Sequence, residues 1–323
     1  MKVASVQPSL ALPGGLVQLE FEGDLESDPP RITVGGRPAG IMGISRNRVT
    51  FNVPECESGE IRINGAEAGK AISLVVGRRI ADELHPVTSP AIDPQGNVYT
   101  TFSGSRGEKA PFGVFVISAD GLKEPFLGDL TNPTGLAVGP DQHLYVSSRH
   151  SGTVFRSSFD KQIEKWVDGL GMATGIAFDS KGDLYVGDRS GTIYRVTPDR
   201  SASVFCSLEP SVSAYHLAFD SEDRLYVSGP TLSTQDNIYR IGTDGSPKIF
   251  FRGFGRPQGL CAMPDGTLLA AASFRGRKGI YRCDGKSAEW FVSGPMLVGV
   301  AWDPNLRRLW LVDQESLYQI PLS

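Results

Sequence analysis

Short apolar runs separated by turn sequences recur along most of the chain after residue 85. Five of them read alike, as TGLAV, TGIAF, YHLAF, QGLCA and VGVAW, at residues 134–138, 174–178, 215–219, 258–262 and 298–302. A turn and a second apolar run follow each of them, such as LYV at 144–146, and a weaker copy comes first at 91–99. The positions aligned with Tyr99 recur every 40 to 46 residues. This period, with strand-type alternation, predicts a β-propeller whose blades have four strands each.

The last of the six repeats is one strand short, because only three residues follow its third apolar run, LYQI at 317–320. In the later repeats, an outer strand stands about the same number of residues before each first strand. Segment 78–82 stands at that distance before the first repeat. We therefore predict that a strand around Ile80 pairs with the last blade and closes the ring, which leaves no exposed sheet edge there. The predicted fold is all-β, with a six-bladed propeller over residues 78–323.

Residues 1–77 lack the repeat and alternate apolar and polar positions, as in LVQLEF at 16–21, with frequent turn signals. This pattern is typical of a small β-sandwich. The segments VQP at 6–8, PGG at 13–15 and VGGRPA at 34–39 resemble the IPT/TIG family of immunoglobulin-like domains. The resemblance implies a spacer, a dimerisation surface or part of a binding protein. Because Val76 leads directly into the closing strand, we expect this domain to pack against the propeller.

The propeller repeats, FDSKGDLYV at 178–186 above all, resemble those of NHL and gluconolactonase-like propellers. These propellers include lactonases, lyases, other hydrolases and pure binding proteins, so the resemblance implies a fold rather than an activity. In gluconolactonase-like enzymes carboxylate and Asn oxygens hold a divalent metal at the channel mouth. The matching positions here carry Ser89, Thr134 and Thr174. We therefore predict no cofactor, and a Ca, Mn or Zn ion belongs only to the alternative, enzymatic function.

Candidate ligand-binding residues lie at the starts of the first strands and in the loops between second and third strands, which open on one face. They are Thr134, Thr174, Tyr215, His216, Gln258, Arg106, Arg149, Arg189 and Arg275. A cationic rim on a chain of net charge −4 predicts an anionic small molecule or an acidic protein surface as partner. His216 is a weak catalytic candidate as a general base. The alternative is that its ring hydrogen-bonds a neighbouring blade.

The remaining sequence features predict structural roles. Asp93, Asp179, Asp220 and Asp303 end first strands, where their carboxylates are expected to accept amide hydrogens in turns. The four cysteines have no metal-ligand spacing and are expected to be thiols, with a Cys261–Cys283 disulfide left open.

The acidic balance predicts no nucleic-acid partner, and no apolar run is long enough to span a membrane. The N-terminus does not resemble a signal peptide, so we expect a cytoplasmic protein, or a periplasmic or secreted one if a leader has been trimmed.

Three functions follow from these features. The first is a non-catalytic module that binds a ligand or protein through its channel-face loops. The alternative is a metal-dependent gluconolactonase-like hydrolase or lyase that acts at the central channel. The third is a structural subunit held in a larger assembly through residues 1–77.

Overall fold

The structure is a computed structural model, and it describes residues 2–25, 30–57, 59–64, 72–105 and 107–322. Every regular element in these ranges is a β-strand. Accordingly, no helix of the described chain has the length and apolar character needed to cross a membrane.

The N-terminal residues form two sheets around one apolar core. The strands are β1 (Val3–Gln7), β2 (Leu10–Ala11), β3 (Leu16–Phe21), β4 (Thr33–Val34), β5 (Arg37–Pro38), β6 (Gly40–Ser45), β7 (Arg48–Asn52), β8 (Gly59–Asn64) and β9 (Ser73–Val76). They pair in the orders β1-β3-β7-β6 and β2-β9-β8-β4-β5. The alternation predicted at 16–21 is confirmed, because Val17, Leu19 and Phe21 are buried and the residues between them are only partly buried. Val49 and Leu74 join them in the core.

The rest of the chain folds into consecutive antiparallel four-stranded units, which we number sheets 1 to 6. Sheet 1 contains β11 (Ala91–Ile92), β12 (Val98–Thr101), β13 (Phe112–Ile117) and β14 (Lys123–Gly128). Sheet 2 contains β15 (Pro133–Val138), β16 (Leu144–Ser148), β17 (Thr153–Ser157) and β18 (Ile163–Val167). Sheet 3 contains β19 (Ala173–Phe178), β20 (Leu184–Asp188), β21 (Thr192–Val196) and β22 (Ala202–Ser207).

Sheets 4 and 5 share one long strand. Sheet 4 contains β23 (His216–Phe219), β24 (Leu225–Ser228), β25 (Asp236–Ile241) and the first half of β26 (Pro247–Ala262). The second half of β26 is the first strand of sheet 5, before β27 (Leu268–Phe274), β28 (Arg277–Cys283) and β29 (Ala288–Ser293). Sheet 6 contains β30 (Gly299–Asp303), β31 (Arg308–Val312), β32 (Leu317–Pro321) and, at its outer edge, β10 (Arg78–Ala81).

The pairing of β10 confirms the strand predicted around Ile80. It runs antiparallel to β32, with Arg79 opposite Tyr318 and Ala81 opposite Leu317. Ala81 is buried among Trp310, Val312 and Leu317 of the same sheet. A segment from before the first repeat therefore completes the last sheet.

The first strands of the six sheets contact one another in cyclic order, from β11 through β15, β19, β23 and β26 to β30, and β30 contacts β11. The repeated glycine makes this close approach possible. A Cβ at Gly135 would lie 2.3 Å from the carbonyl oxygen of Thr174, and one at Gly175 would lie 2.2 Å from that of Tyr215. Side chains larger than hydrogen would force these inner strands apart. The fold is a β-propeller.

The N-terminal domain is joined edge to edge to the propeller. Strand β2 lies between β9 and β29 and runs parallel to both. The backbone N–H of Leu12 donates to the carbonyl oxygen of Ser293 at 2.7 Å. The Leu12 side chain is fully buried against residues of sheets 5 and 6, including Val292 and Ile320. The expected packing of this domain against the propeller is confirmed.

The aspartates that end first strands have the predicted structural role. Asp179 Oδ1 accepts the amide hydrogens of Lys181 at 3.0 Å and Asp183 at 2.9 Å. Asp220 Oδ1 accepts those of Glu222 and Arg224, both at 3.0 Å. Asp93 and Asp303 cap their turns in the same way.

All four cysteines are free, so no disulfide links Cys261 to Cys283.

Candidate functional site

The hydroxyl groups at the starts of the first strands are occupied in hydrogen bonds. Thr134 is buried, and its Oγ1 donates to the carbonyl oxygen of Asn132 at 3.1 Å. Thr174 Oγ1 donates to the carbonyl oxygen of Gly187 at 2.7 Å and accepts the amide hydrogen of Tyr215 at 3.1 Å. Both side chains therefore fix the inner strands rather than face a ligand.

Tyr215 and Gln258, the other predicted first-strand candidates besides His216, do not line the central channel. Tyr215 is buried, and its phenol donates to the carbonyl oxygen of Glu209. Burial raises the pKa of Tyr215 above its ordinary value, so the phenol stays protonated. Gln258 instead lines a crevice between sheets 5 and 6.

A cavity of about 330 Å³ lies among the first strands, and His216 lines it. The side chain of His216 is 4% exposed, and burial lowers its pKa to about 4. The neutral imidazole makes no hydrogen bond to another residue in the described part of the chain, so the alternative of a bond to a neighbouring blade has no support there. A base with this pKa accepts a proton weakly at neutral pH.

The side chains that line this cavity give a divalent metal few oxygen ligands. Among the described residues that line the cavity there is no Asp, Glu or Asn. Its side chains are mostly apolar, with Leu136, Ile176 and Phe219 among them. Burial raises the pKa of Cys261, which also lines it, to about 11, so that thiol stays protonated. No cluster of three or more His, Cys, Asp and Glu side chains suited to a metal occurs elsewhere in the described ranges.

Two of the predicted loop arginines meet in a crevice between sheets 2 and 3, which we call the 2–3 crevice. Its volume is about 280 Å³, and it is lined by Asn132, Arg149, His150, Met172 and Arg189. No carboxylate side chain lines it in the part of the chain that the structure describes. Two arginines and a histidine among its lining residues make this crevice suited to carboxylate or phosphate oxygens.

The same local geometry places both arginines. Each follows the second strand of its sheet, and its backbone N–H donates to the residue two positions before a repeat threonine. Arg149 donates to the carbonyl oxygen of Asn132 at 3.3 Å, and Arg189 donates to that of Met172 at 3.2 Å. The repeat therefore brings equivalent loop residues of adjacent sheets to one crevice.

Buried polar groups hold the crevice in shape. Asn132 is 1% exposed, and its Nδ2 donates to the carbonyl oxygens of Gly104 and Ser105 at 3.1 and 2.9 Å. The Asp188 carboxylate is buried and accepts the amide hydrogen of Met172 at 2.8 Å. Arg189 is oriented by two bonds of its guanidinium, from Nε to the carbonyl oxygen of Ser211 at 3.1 Å and from Nη2 to that of Val212 at 2.7 Å.

The other two predicted arginines do not join this cluster. Arg106 lies outside the described residues. The guanidinium of Arg275 lies over the ring of Phe274, 5.1 Å from its centroid, in a groove that Gln7 and Pro8 of the N-terminal domain also line. His150 belongs to the same channel-face loop as Arg149, whereas Asn132 and Met172 were not predicted from the sequence. The two-residue offset of Asn132 and Met172 from the repeat threonines is the signal that could have found them.

Comparison with known proteins supports the fold. Residues 175–196 match the family described as strictosidine synthase-like, N-terminal. No curated protein matches the chain. Among solved structures, the chain is similar to a gluconolactonase from Xanthomonas campestris, at 17% identity over 94% of this chain and 98% of that one, with a TM-score of 0.61.

Two further solved structures cover nearly the whole chain. One is an auxiliary nutrient binding protein from Bacteroides thetaiotaomicron, at 12% identity over 98% of this chain and 96% of that one, with a TM-score of 0.59. The other is a catalytically inactive virginiamycin B lyase from Staphylococcus aureus, at 16% identity over 95% and 100%, with a TM-score of 0.55. At these identities the likeness shows the β-propeller fold alone.

Proposed function

We propose that residues 78–323 form a closed six-bladed propeller behind an immunoglobulin-like domain of the IPT/TIG type at residues 1–77. The cyclic contacts of the six first strands and the pairing of β10 with β32 support the ring. Two sheets around a shared core support the sandwich.

We propose further that this propeller is a binding protein that takes an anionic small molecule in the 2–3 crevice. The observation that carries this function is the convergence of Arg149, His150 and Arg189 in one crevice that has no carboxylate among its described lining residues. Hydrogen bonds from a guanidinium to a carboxylate or phosphate are strong and geometrically specific. Similarity to a nutrient binding protein agrees with this function, although the likeness extends to the fold only.

The test is calorimetric titration of the full chain with citrate, glutarate and inorganic phosphate at low ionic strength. We expect at least one of these anions to bind. The double variant Arg149→Gln/Arg189→Gln should weaken that binding by about 10-fold to 100-fold, because a hydrogen bond to a charged group contributes about 1.5–3 kcal/mol. Added salt should also weaken it.

The matched control removes two positive charges elsewhere, in Arg240→Gln/Lys248→Gln. These exposed residues face each other beside the turn between the third and fourth strands of sheet 4, on the opposite face of the propeller. The control should bind as the wild type does. Equal weakening in both double variants would contradict the proposed site. Turnover of a lactone on addition of Ca²⁺, Mn²⁺ or Zn²⁺ would favour the alternative, a metal-dependent hydrolase or lyase.

A further inference from the structure

We propose that a second anion-binding crevice lies across the channel mouth from the first, and that the two together bind an acidic peptide. This proposal rests on the proposed function of the 2–3 crevice. It adds a second site, its position opposite the first and a class of partner.

The second crevice, which we call the 5–6 crevice, lies between sheets 5 and 6 and has a volume of about 370 Å³. Two cationic residues, Arg256 and Lys278, line it together with the amides Gln258 and Gln314. No carboxylate side chain is among its lining residues in the described ranges, and neither cation forms an ion pair with another residue there.

One carboxylate, that of Asp236, contacts the backbone of Arg256, and its oxygens already accept hydrogen bonds. Asp236 is 2% exposed, and its Oδ1 accepts both the amide hydrogen and the hydroxyl hydrogen of Thr231, at 2.9 and 2.7 Å. Its Oδ2 accepts the backbone amide hydrogen of Arg256 at 3.2 Å. Asp236 therefore holds the backbone of Arg256 in place, and Arg256 is one of the residues that line the crevice.

The two crevices are equivalent places in the repeat. Each crevice lies between two neighbouring sheets. It is formed by residues at the start of the first strand of each sheet and by residues that follow the second strand of each sheet. Arg256 and Met296 occupy in the 5–6 crevice the positions that Asn132 and Met172 occupy in the 2–3 crevice. Gln314 occupies the loop position of Arg189. Each crevice therefore has two cationic residues, and these stand at different positions of the repeat in the two crevices.

The order of the first strands places the crevices on opposite sides of the channel. Going round the ring in either direction, three sheets separate one crevice from the other: sheets 3, 4 and 5, or sheets 6, 1 and 2. Both crevices open on the face where the first strands begin. A ligand that reaches both must cross the channel mouth and carry two separated anionic groups.

The lining residues favour a peptide that is both acidic and apolar. Met172 is 38% exposed and Met296 is 48% exposed, and each lies beside the cations of its crevice. Flexible methionine side chains adapt to apolar groups of different shape. Neither crevice has a Phe, Tyr or Trp among its described lining residues, on which a sugar ring or a base could stack. A nucleic acid would also need a continuous cationic track rather than two separate sites.

The experiment uses fluorescein-labelled peptides and the full chain. A one-site peptide carries a single Glu-Leu-Glu cluster, and two-site peptides carry two such clusters joined by Gly-Ser spacers of increasing length. We expect the best two-site peptide to bind at least 10-fold more tightly than the one-site peptide, with an optimum in spacer length. We expect two molecules of the one-site peptide to bind per chain.

Two double variants each remove the cations of one crevice: Arg149→Gln/Arg189→Gln and Arg256→Gln/Lys278→Gln. Each should lower the affinity for the two-site peptide to that for the one-site peptide. Each should also bind only one molecule of the one-site peptide per chain. The control Arg240→Gln/Lys248→Gln should behave as the wild type, and the charge-conserving Arg256→Lys/Lys278→Arg should keep the advantage of the two-site peptide. Thermal melting checks that each variant is folded.

The possible failures are distinguishable. Loss of binding in the Arg149/Arg189 variant with wild-type behaviour in the Arg256/Lys278 variant would overturn the second crevice and leave the proposed function standing. Wild-type binding in both variants would overturn both proposals. Tighter, length-dependent binding of an oligogalacturonate or of a single-stranded oligonucleotide would overturn the peptide as the class of partner.

Discussion

Corresponding positions of the six first strands surround the centre of the propeller, and in the described chain five of them hold small residues: Ser89, Gly135, Gly175, Gly259 and Gly299. The sixth is His216. The glycines are required where the backbone of one strand touches that of the next, as at Gly259, where a Cβ would lie 2.5 Å from Gly299 Cα. The imidazole of His216 therefore stands in a layer that is otherwise almost without side chains.

Substitution His216→Gln should reduce the loss of stability in mild acid. The folded-state pKa of His216 is about 4, below the value of about 6.5 in an unfolded chain, so the unfolded state binds more protons between these pH values. Stability is therefore fully present above about pH 6.5 and falls as the pH falls toward 4. The difference in pKa corresponds to about 3 kcal/mol.

The measurement is urea unfolding at several pH values from 7 to 4. The wild type should lose about 3 kcal/mol more than His216→Gln over this range. The comparison is between slopes, because glutamine in the channel changes stability at every pH. Parallel pH profiles would show that His216 is not buried as a neutral imidazole.

The sequence predicts a site residue when the repeat fixes its position, and it fails when a contact with a distant part of the chain does. Arg149 and Arg189 could be predicted because repeat spacing alone puts them in equivalent loops. Arg275 lies in the corresponding loop of sheet 5, two residues beyond the position equivalent to Arg149, and it lies near the N-terminal domain. Its hairpin is longer, with seven residues in each of β27 and β28, and Arg277 Nη2 donates to Oε1 of Gln18 in β3. No local pattern predicts that contact.

At the scale of elements, β10 and β2 differ in how far the sequence predicts them. Repeat spacing predicted β10, because the last sheet lacked a strand and one segment stood at the right distance. Strand β2 has only two residues, Leu10 and Ala11, which show no alternation. Its partners β9 and β29 are far along the chain, so its pairing depends on tertiary packing rather than on local pattern. This short strand nevertheless makes the N-terminal sheet continuous with sheet 5.

Substitution Leu12→Ala, directly after β2, should therefore destabilise the propeller as well as the N-terminal domain. Leu12 is fully buried and packs with Val292 and Ile320. The expected loss is about 2–5 kcal/mol in the free energy of unfolding, from lost burial and the cavity left behind. The matched control is Leu232→Ala, at a residue that is 92% exposed, with an expected change below about 0.5 kcal/mol. Similar losses in the two variants would contradict the packing of Leu12 between the domains.

At the scale of the whole molecule, two strands tie the N-terminal domain to the propeller. Strand β2 extends sheet 5, and β10 completes sheet 6, with only Gly77 between β9 and β10. A Cβ at Gly77 would lie 2.4 Å from Leu12 Cδ2 and 2.7 Å from Ile320 Cγ1, so the connection is packed tightly. A domain of fewer than eighty residues has a small core of its own, and we infer that it draws stability from this shared interface.

The whole chain should consequently unfold in one transition in scanning calorimetry, with equal calorimetric and van't Hoff enthalpies. Substitution Gly15→Val should split or broaden that transition. A Cβ at Gly15 would lie 2.7 Å from the carbonyl oxygen of Ser293, so valine pushes the N-terminal domain away from sheet 5. The control is Gly43→Val, where a Cβ meets nothing within 4 Å, and it should keep a single transition. Two transitions in the wild type would instead mean that the domains fold independently, and that the continuous sheet holds them together without making them one cooperative unit.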